Sequence, residues 1–490
     1  VPQHATHEIE LKLRVPIAHA ANVERAVEGR GSSIRTHLRA AYFDTPERDL
    51  AANGMAWRVR REGRRWVQTL KARHPQAGSF IRLEHNVAVR SRGAPLADST
   101  LHDGTEVGAQ LAALLARTGR VPIEQYHTDV WRRTRSARMV GGSVELAFDR
   151  GTIASGDSSV DVCELEIELQ RGSPHAVIAT ARTWVRRHGL WLDTVNKAQR
   201  GALLAAGLDE LPVVKAPRPA LTRDMPIDAA VREMVHACLQ QVTANASAVA
   251  GGLGGHEHVH QARIGIRKLR TVLREFGEHS PAIDPEWGER LKATFTRLGE
   301  LRDREVVLAH WNSALAAHGA PVFDTPASAD TDPRDVLREP EFSVLLLDLL
   351  DYAHGEPIDN GVTAGEVVPR VLHRLHKGVR RRTRRFAATT TEGRHATRKI
   401  VKRLRYVAEL TASLYKPKRI QKFLAVIEPA QDRLGELNDL VVAADMYLTM
   451  TSHQQKAWFA VGWLTAHEQE AVEACIEPLR RVARHKLYWT

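Results

Sequence analysis

Glu8, Glu10 and Lys12 stand at alternate positions in HEIELKL, and Glu164, Glu166 and Glu168 do the same in CELEIEL. Alternate side chains of a β-strand share one face. Each segment therefore sets charge on one face. The other face carries Ile9, Leu11 and Leu13 in one case and Cys163, Leu165, Ile167 and Leu169 in the other. The same alternation aligns Glu145 with Asp149, Arg58 with Arg60, and Arg82 with Glu84. Lys71 closes QTLK. TDVWRR carries Arg132, with Arg133 competing for its place because the register there is open. Carboxylates spaced this way repel one another, and a second acidic strand adds to the cost. Both signs together suit metal-dependent phosphoryl transfer. Carboxylate oxygens hold Mg2+ or Mn2+, and Arg and Lys hold phosphate oxygens. The metal neutralises charge and orients or activates water. A closed barrel of about eight strands can enclose such an interior as a tunnel.

Strands are expected near 7–14, 38–44, 55–61, 65–72, 79–90, 126–134, 143–149 and 160–170. Helical patterns interrupt them near 17–29, 107–118, 174–189 and 196–206. The Pro-rich stretch 208–226 reads as a linker. Beyond it, 227–490 turns to long Ala-, Leu-, Arg- and Glu-rich stretches of helical period. The expected plan is an α+β antiparallel tunnel over 1–207 followed by an all-α domain over 227–490. A loop near 319–334 divides that domain into bundles of about 227–330 and 335–490.

The helical half repeats itself. HQARIGIRKLR from His260 and HATRKIVKRLR from His395 share H-x-x-R-x-x-x-[RK]-[KR]-L-R, and each is followed by LGELRD from Leu298 or LGELND from Leu434. Two paired motifs in one order imply two similar bundles about a pseudo-twofold axis. On a helix, His260, Arg263, Arg267, Arg270 and Arg274 fall on one face, and His395, Arg398, Lys402 and Arg405 on the equivalent face. Between Val371 and Arg405 lie thirteen Lys or Arg and one acid, Glu392. An anion lying across both stripes would relieve the repulsion. His256, His258 and His260 cluster, but lack a carboxylate or thiol at helix spacing, so a histidine bonded to phosphate fits better than a metal site.

Several motifs of the first half resemble the CYTH domain of the triphosphate tunnel metalloenzymes. They are the ExExK of Glu8, Glu10 and Lys12, YFDTP at 42–46, RVRR around Arg58 and Arg60, TLK ending at Lys71, CELEIEL, and NKAQRG at 196–201. The resemblance implies an eight-stranded antiparallel tunnel that hydrolyses a linear triphosphate with Mg2+ or Mn2+. It implies phosphate contacts from Lys12, Arg58, Arg60, Lys71, Arg82, Arg132 and Lys197. Metal and water would be served by Glu8, Glu10, Asp149, Glu166 and Glu168, with Glu145 and Glu164 on the same faces. Glu8, Glu10, Lys12, Lys71 and Arg132 are the residues it implicates most directly in catalysis. The repeated motif of the second half resembles the CHAD domain, which implies a basic groove for inorganic polyphosphate formed by the two stripes. LGELND has Asn438 where LGELRD has Arg302, so the halves should bind differently.

Inorganic triphosphate and polyphosphate are therefore the expected partners. An organic triphosphate such as thiamine triphosphate would need a stacking platform, for which Trp57, Trp66 and Trp131 are the candidates. A non-catalytic scaffold of polyphosphate granules is the other alternative. Nucleic acid is not expected, because the stripes carry few aromatic platforms for bases. The net charge of +12 over 490 residues agrees with a polyanionic partner. Cys163, Cys238 and Cys475 are too dispersed for a zinc or disulfide framework. The best apolar run, VLLLDLL at 344–350, is short and broken by Asp348, so no membrane span is expected. The N-terminus lacks a signal-like apolar stretch, so a cytoplasmic location, with granule association, is the expectation.

Overall fold

The alternating segments of the first half form antiparallel strands in a computed structural model. It describes residues 6–29, 31–74, 78–91, 93–324 and 332–489, with side chains described except at 6–8, 73–74, 78–82, 300–307 and 309. The strands are β1 (Thr6–Arg14), β2 (Ile34–Asp44), β3 (Met55–Glu62), β4 (Arg65–His74), β5 (Gly78–Val89), β6 (Ile123–Met139), β7 (Gly142–Ser155), β8 (Ser158–Gly172) and β9 (Trp191–Leu192). Eight long strands were expected. The ninth has two residues, too few for a period to show. The order is β5-β4-β3-β2-β6-β7-β8-β1-β9. Pairing of β1 with β5, from Thr6↔Glu84 to Ile9↔Ile81, closes the first eight into a barrel. Closure removes the exposed edges of the sheet.

Helices of the first half are α1 (Ala20–Glu28), α2 (Asp49–Ala52), α3 (Glu106–Thr118), α4 (Pro174–His188) and α5 (Lys197–Ala205). A barrel with charge inside must bury its apolar face outward. Here α4 covers β1 and β8, α3 covers β4 and β5, and α1 covers β6 and β7. Leu13, Leu165 and Ile167 are fully buried, as are Val177, Ile178 and Val185 of α4. Helix α5 packs on inward-facing Tyr42, Tyr126 and Val130 instead, at one end of the barrel. It starts with a capping box, in which Asn196 accepts from the Gln199 amide at 2.8 Å and Gln199 accepts from the Asn196 amide at 3.0 Å. A Cβ at Gly201 would come 2.1 Å from the Tyr126 ring, so only glycine lets α5 sit this close.

The second half is helical: α6 (Ile227–Ala250), α7 (His256–Phe276), α8 (Glu286–Ala316), α9 (Pro333–Arg338), α10 (Pro340–His354), α11 (Ala364–Thr383), α12 (Thr391–Leu410), α13 (Pro417–Met450) and α14 (Ala457–Arg484). The motif from His260 lies on α7 and is followed by α8, and that from His395 lies on α12 and is followed by α13. Among the described residues, no helix is long and apolar enough to cross a membrane.

Two compact units do not follow the linker. One comprises Val1–Lys215, Gln240–Ala262 and Arg334–Gly355; the other comprises Ala216–Leu239, Arg263–Pro333 and Glu356–Thr490. In the first, α10 packs on α4. Its apolar run is buried nearly all round, and Asp348 and Asp351 meet Arg182 at 2.8 and 3.3 Å. In the second, α11, α12, α13 and α14 pack as neighbours around buried Leu372, Leu404, Phe423 and Leu479.

Candidate active site

Register decides which charges meet inside the barrel. Glu10 pairs with Glu168 and Lys12 with Glu166 between β1 and β8. Arg132 pairs with Asp149 between β6 and β7, and Glu145 with Glu168 between β7 and β8. Glu10, Lys12, Arg58, Arg60, Lys71, Arg132, Asp149, Glu166, Glu168 and Lys197 all line one cavity of about 930 Å³. Glu8 and Arg82 are partners in the β1–β5 backbone register, but their side chains lie outside the described residues.

The cavity has two electrostatic ends. Where β1 finishes, cations and carboxylates are interlocked. Arg132 Nε and Nη2 donate to the Asp149 carboxylate at 2.7 and 2.6 Å, and Nη2 also donates to Glu166. Lys197 Nζ reaches Asp149 at 2.6 Å, Glu164 at 2.5 Å and Glu166 at 2.7 Å. Lys12 Nζ lies 3.5 Å from Glu164 and donates to the Val195 carbonyl. Burial alone would push the Glu166 pKa up, but Arg132 and Lys197 outweigh it and hold it well below the usual range. Burial likewise opposes the charge on Lys197, yet Asp149, Glu164 and Glu166 hold it ionised.

Towards the start of β1 the balance is acidic. Burial pushes the Glu168 pKa to about 7 against the pull of Lys71, and Glu10, Glu84 and Glu145 add to the rise. Lys71 reaches Glu84 at 2.9 Å, and Asn86 donates to Glu84 at the same distance. Glu84 shares this wall although the sequence reading used its strand neighbour Arg82 instead; the alternation that aligned them was a signal for both. Arg58 donates to the Tyr42 hydroxyl at 3.2 Å, and Tyr42 stacks on Tyr126 at 4.7 Å between centroids.

Oxygen donors of Asp149, Glu164 and Glu166 lie within 4.8 Å of one another, a candidate acidic metal site. All-oxygen donors fit a hard divalent cation. Glu164, only a neighbour on that face in the sequence reading, is a full member of this cluster. The two arginines of TDVWRR separate: Arg132 faces the cavity, whereas Arg133 meets Glu24 and Glu28 of α1 at 3.3 and 3.4 Å. The tryptophans form no common platform. Trp57 packs among Leu50, Leu70 and Val107. Trp66 lies under Arg61. Trp131 stacks on His37 beneath Arg35, on the β6 face opposite to Arg132.

In the second unit, cations of the two stripes come together. Burial lowers the Lys402 pKa to about 6, helped by Arg267, Arg398 and Arg263 and opposed by Asp439. Arg263 and Arg267 lie over the Phe295 ring at 4.8 and 5.6 Å. His395 bonds to Asn438 at 3.2 Å. Outlying stripe members are engaged locally: Arg270 with the Gly288 carbonyl, Arg274 with Glu275, and Arg405 with Glu409. His260 falls in the other unit, on the first turns of α7. A further basic cavity of about 980 Å³ is lined by Arg370, Arg374, Lys377 and Arg381 of α11 and by Trp489.

Comparison with known proteins finds two families along the chain. The CYTH domain model matches residues 6–202, and the CHAD domain model matches residues 233–448. An inorganic triphosphatase from Haemophilus influenzae is 26% identical over 207 residues, 40% of this chain and 55% of the relative. The chain thus spans about half the length of that relative. Among solved structures, the CHAD domain from the plant Ricinus communis matches at 25% identity and TM-score 0.44, covering 55% of this chain and 96% of that one. An inorganic triphosphatase of known structure matches at 20% identity and TM-score 0.16, covering 36% and 81%. The chain carries a CYTH domain followed, in that order, by a CHAD domain.

Proposed function

We propose that the barrel hydrolyses inorganic triphosphate with Mg2+ or Mn2+ and that the basic helices bind inorganic polyphosphate. The observation that carries this reading is the enclosure of both charge signs in one cavity, with Arg132 and Lys197 paired to Asp149, Glu164 and Glu166. These internal pairs mimic what substrate and metal would bring. A triphosphate takes over the cations Lys12, Arg58, Arg60, Lys71, Arg82, Arg132 and Lys197. The carboxylates, relieved of them, would be free to hold a divalent ion. Exchange of this kind lets a buried site accept a highly charged ligand without stranding a charge. Carboxylates from among Glu8, Glu10, Asp149, Glu166 and Glu168, with Glu164 of the same cluster as Asp149 and Glu166, would hold the ion, which would neutralise phosphate charge and orient the attacking water.

Within the barrel, Arg132 is placed to grip phosphate oxygens bidentately, as it now grips Asp149. Lys197 and Lys12 hold one end of the chain, and Lys71 stands at the acidic end. A bound cation would favour the ionised form of Glu168, whose pKa burial raises to about 7. A linear phosphate needs no stacking platform, in accord with the scattered tryptophans.

The test is phosphate release from tripolyphosphate with Mg2+ or Mn2+. Glu10→Gln, Lys12→Ala and Arg132→Ala should each abolish turnover in folded protein. Undiminished activity in all three would refute the tunnel as the reaction site. Binding without turnover by the unaltered chain would make it a phosphate-holding protein.

A further inference from the structure

The wall of the barrel cavity is not built by the barrel alone. At the end where β1 finishes it includes Thr194, Asn196, Val214, and Gln240 and Ala244 of α6. All belong to one compact unit. Hydrogen bonds pin α6 there. The Asn245 side chain accepts from the Val214 amide at 3.2 Å and donates to the Val214 carbonyl at 2.7 Å. One turn away from the cavity residues, buried Ser247 accepts from the Thr194 amide at 3.0 Å and donates to the Leu192 carbonyl at 3.4 Å. Ser343 of α10 accepts from the Leu192 amide at 3.0 Å. The segment so held carries the Val195 carbonyl that receives Lys12, the Asp193 that pairs with Arg200, and the Asn196 cap that starts α5 ahead of Lys197. Helix α6 is thus fixed against the same segment that positions the lysine end.

We propose that Gln240 and Ala244 of α6 are specificity-determining residues of the tunnel, forming the end wall that sets how long a phosphate chain, or how large a terminal substituent, the cavity admits. This rests on the tunnel being the triphosphate site. A linear chain held by Lys12, Arg132 and Lys197 runs along the barrel axis. An additional phosphate, or a terminal nucleoside, that extends the ligand at this end would enter space bordered by Gln240 and Ala244. A small residue at 244 and an uncharged amide at 240 leave room and polarity for a terminal phosphate without adding a cation to hold a longer chain.

The experiment compares tripolyphosphate, tetrapolyphosphate and ATP as ligands of the full chain, by hydrolysis and by calorimetric binding. Gln240→Ala should raise the tetrapolyphosphate-to-tripolyphosphate ratio of kcat/KM by about tenfold, the effect of one small group in a fitted pocket. Ala244→Leu should lower it by about as much. If Ala244→Leu fails to fold, Gln240→Ala, which only removes atoms, carries the test. Unchanged ratios in folded variants would overturn the inference and leave the triphosphatase reading intact. If the unaltered chain binds tripolyphosphate without hydrolysing it, the triphosphatase reading fails, and the same ratios measured as affinities decide the wall: shifted supports it, unshifted overturns it. Absence of tripolyphosphate binding would sink both.

Discussion

The barrel and the basic helices both concentrate charge, but they store it in opposite ways. In the barrel, Lys197 touches three carboxylates and Arg132 grips Asp149 through two nitrogens. In the helical unit, burial, Arg267 and Arg398 outweigh Asp439 at Lys402, and Arg263 adds to their effect. Paired charges cost little while the ligand is away and force it to exchange partners. Crowded like charges cost stability until a polyanion arrives. Under the proposed function, the barrel would take a defined small substrate and the helices a longer run of phosphates.

The sharpest way to break this contrast is to remove one cation from each region and compare signs. Lys197→Met leaves Asp149, Glu164 and Glu166 with Arg132 and the more distant Lys12. It should destabilise the fold by about 3–5 kcal/mol, as expected when a buried pair loses one partner. Triphosphate hydrolysis should fall by about 10²-fold or more. Thermal melts and phosphate release check both; an unmoved melting midpoint would mean that the pairs hold nothing together.

Lys402→Met should do the reverse to stability, on the order of 1 kcal/mol upward, or about 2–4 °C in melting midpoint for a unit of this size. Polyphosphate binding should weaken. A destabilised variant would show that Lys402 is a paired, structural lysine.

Proton linkage sharpens the comparison further. The folded pKa of Lys402, about 6, lies below its ordinary value. Between the two, the unfolded chain binds more protons, so the unliganded protein gains stability from this group as pH rises from about 6. A bound polyanion favours the charged lysine, so binding above pH 6 takes up a proton and affinity falls with rising pH. Calorimetry in buffers of different ionisation enthalpy should detect that uptake. Lys402→Arg should flatten the pH dependence; a slope unchanged by Lys402→Arg would assign it to another group. Polyphosphate binding should also weaken steeply with salt through counterion release.

The smallest effect is expected at Arg133. It meets Glu24 and Glu28 outside the cavity, so Arg133→Ala should change stability by no more than about 1 kcal/mol and leave hydrolysis near normal. A loss comparable to that of Arg132→Ala would reverse the register assigned to β6.

That pair of arginines also marks the limit of what was legible in the sequence. Period-two alternation was enough to place β1, β7 and β8 and to put Glu10, Asp149 and Glu166 on charged faces, because burial of one strand face admits only one phase. RR in TDVWRR satisfies either phase, and only pairing of β6 with β7 opposes Arg132 to Asp149. Glu164 carried the right phase, but nothing local said that Lys197, 33 residues on, would reach it. The tryptophans are a related case: Trp57 borders the cavity, Trp131 stacks on His37, and alternation with charges alone does not separate the two settings.

The order of charged and apolar residues by itself determined that the first half is built of strands with one charged face, and that the second is a repeated basic helical array. Both follow from local periodicity, which fixes the face a residue occupies. Which cation meets which carboxylate, the gathering of both stripes around Lys402, and the seating of α6 beside Asn196 and Thr194 were decided by the tertiary structure. Those contacts join residues tens to hundreds of positions apart, and only closure of the barrel and packing of the helices bring them within hydrogen-bonding distance.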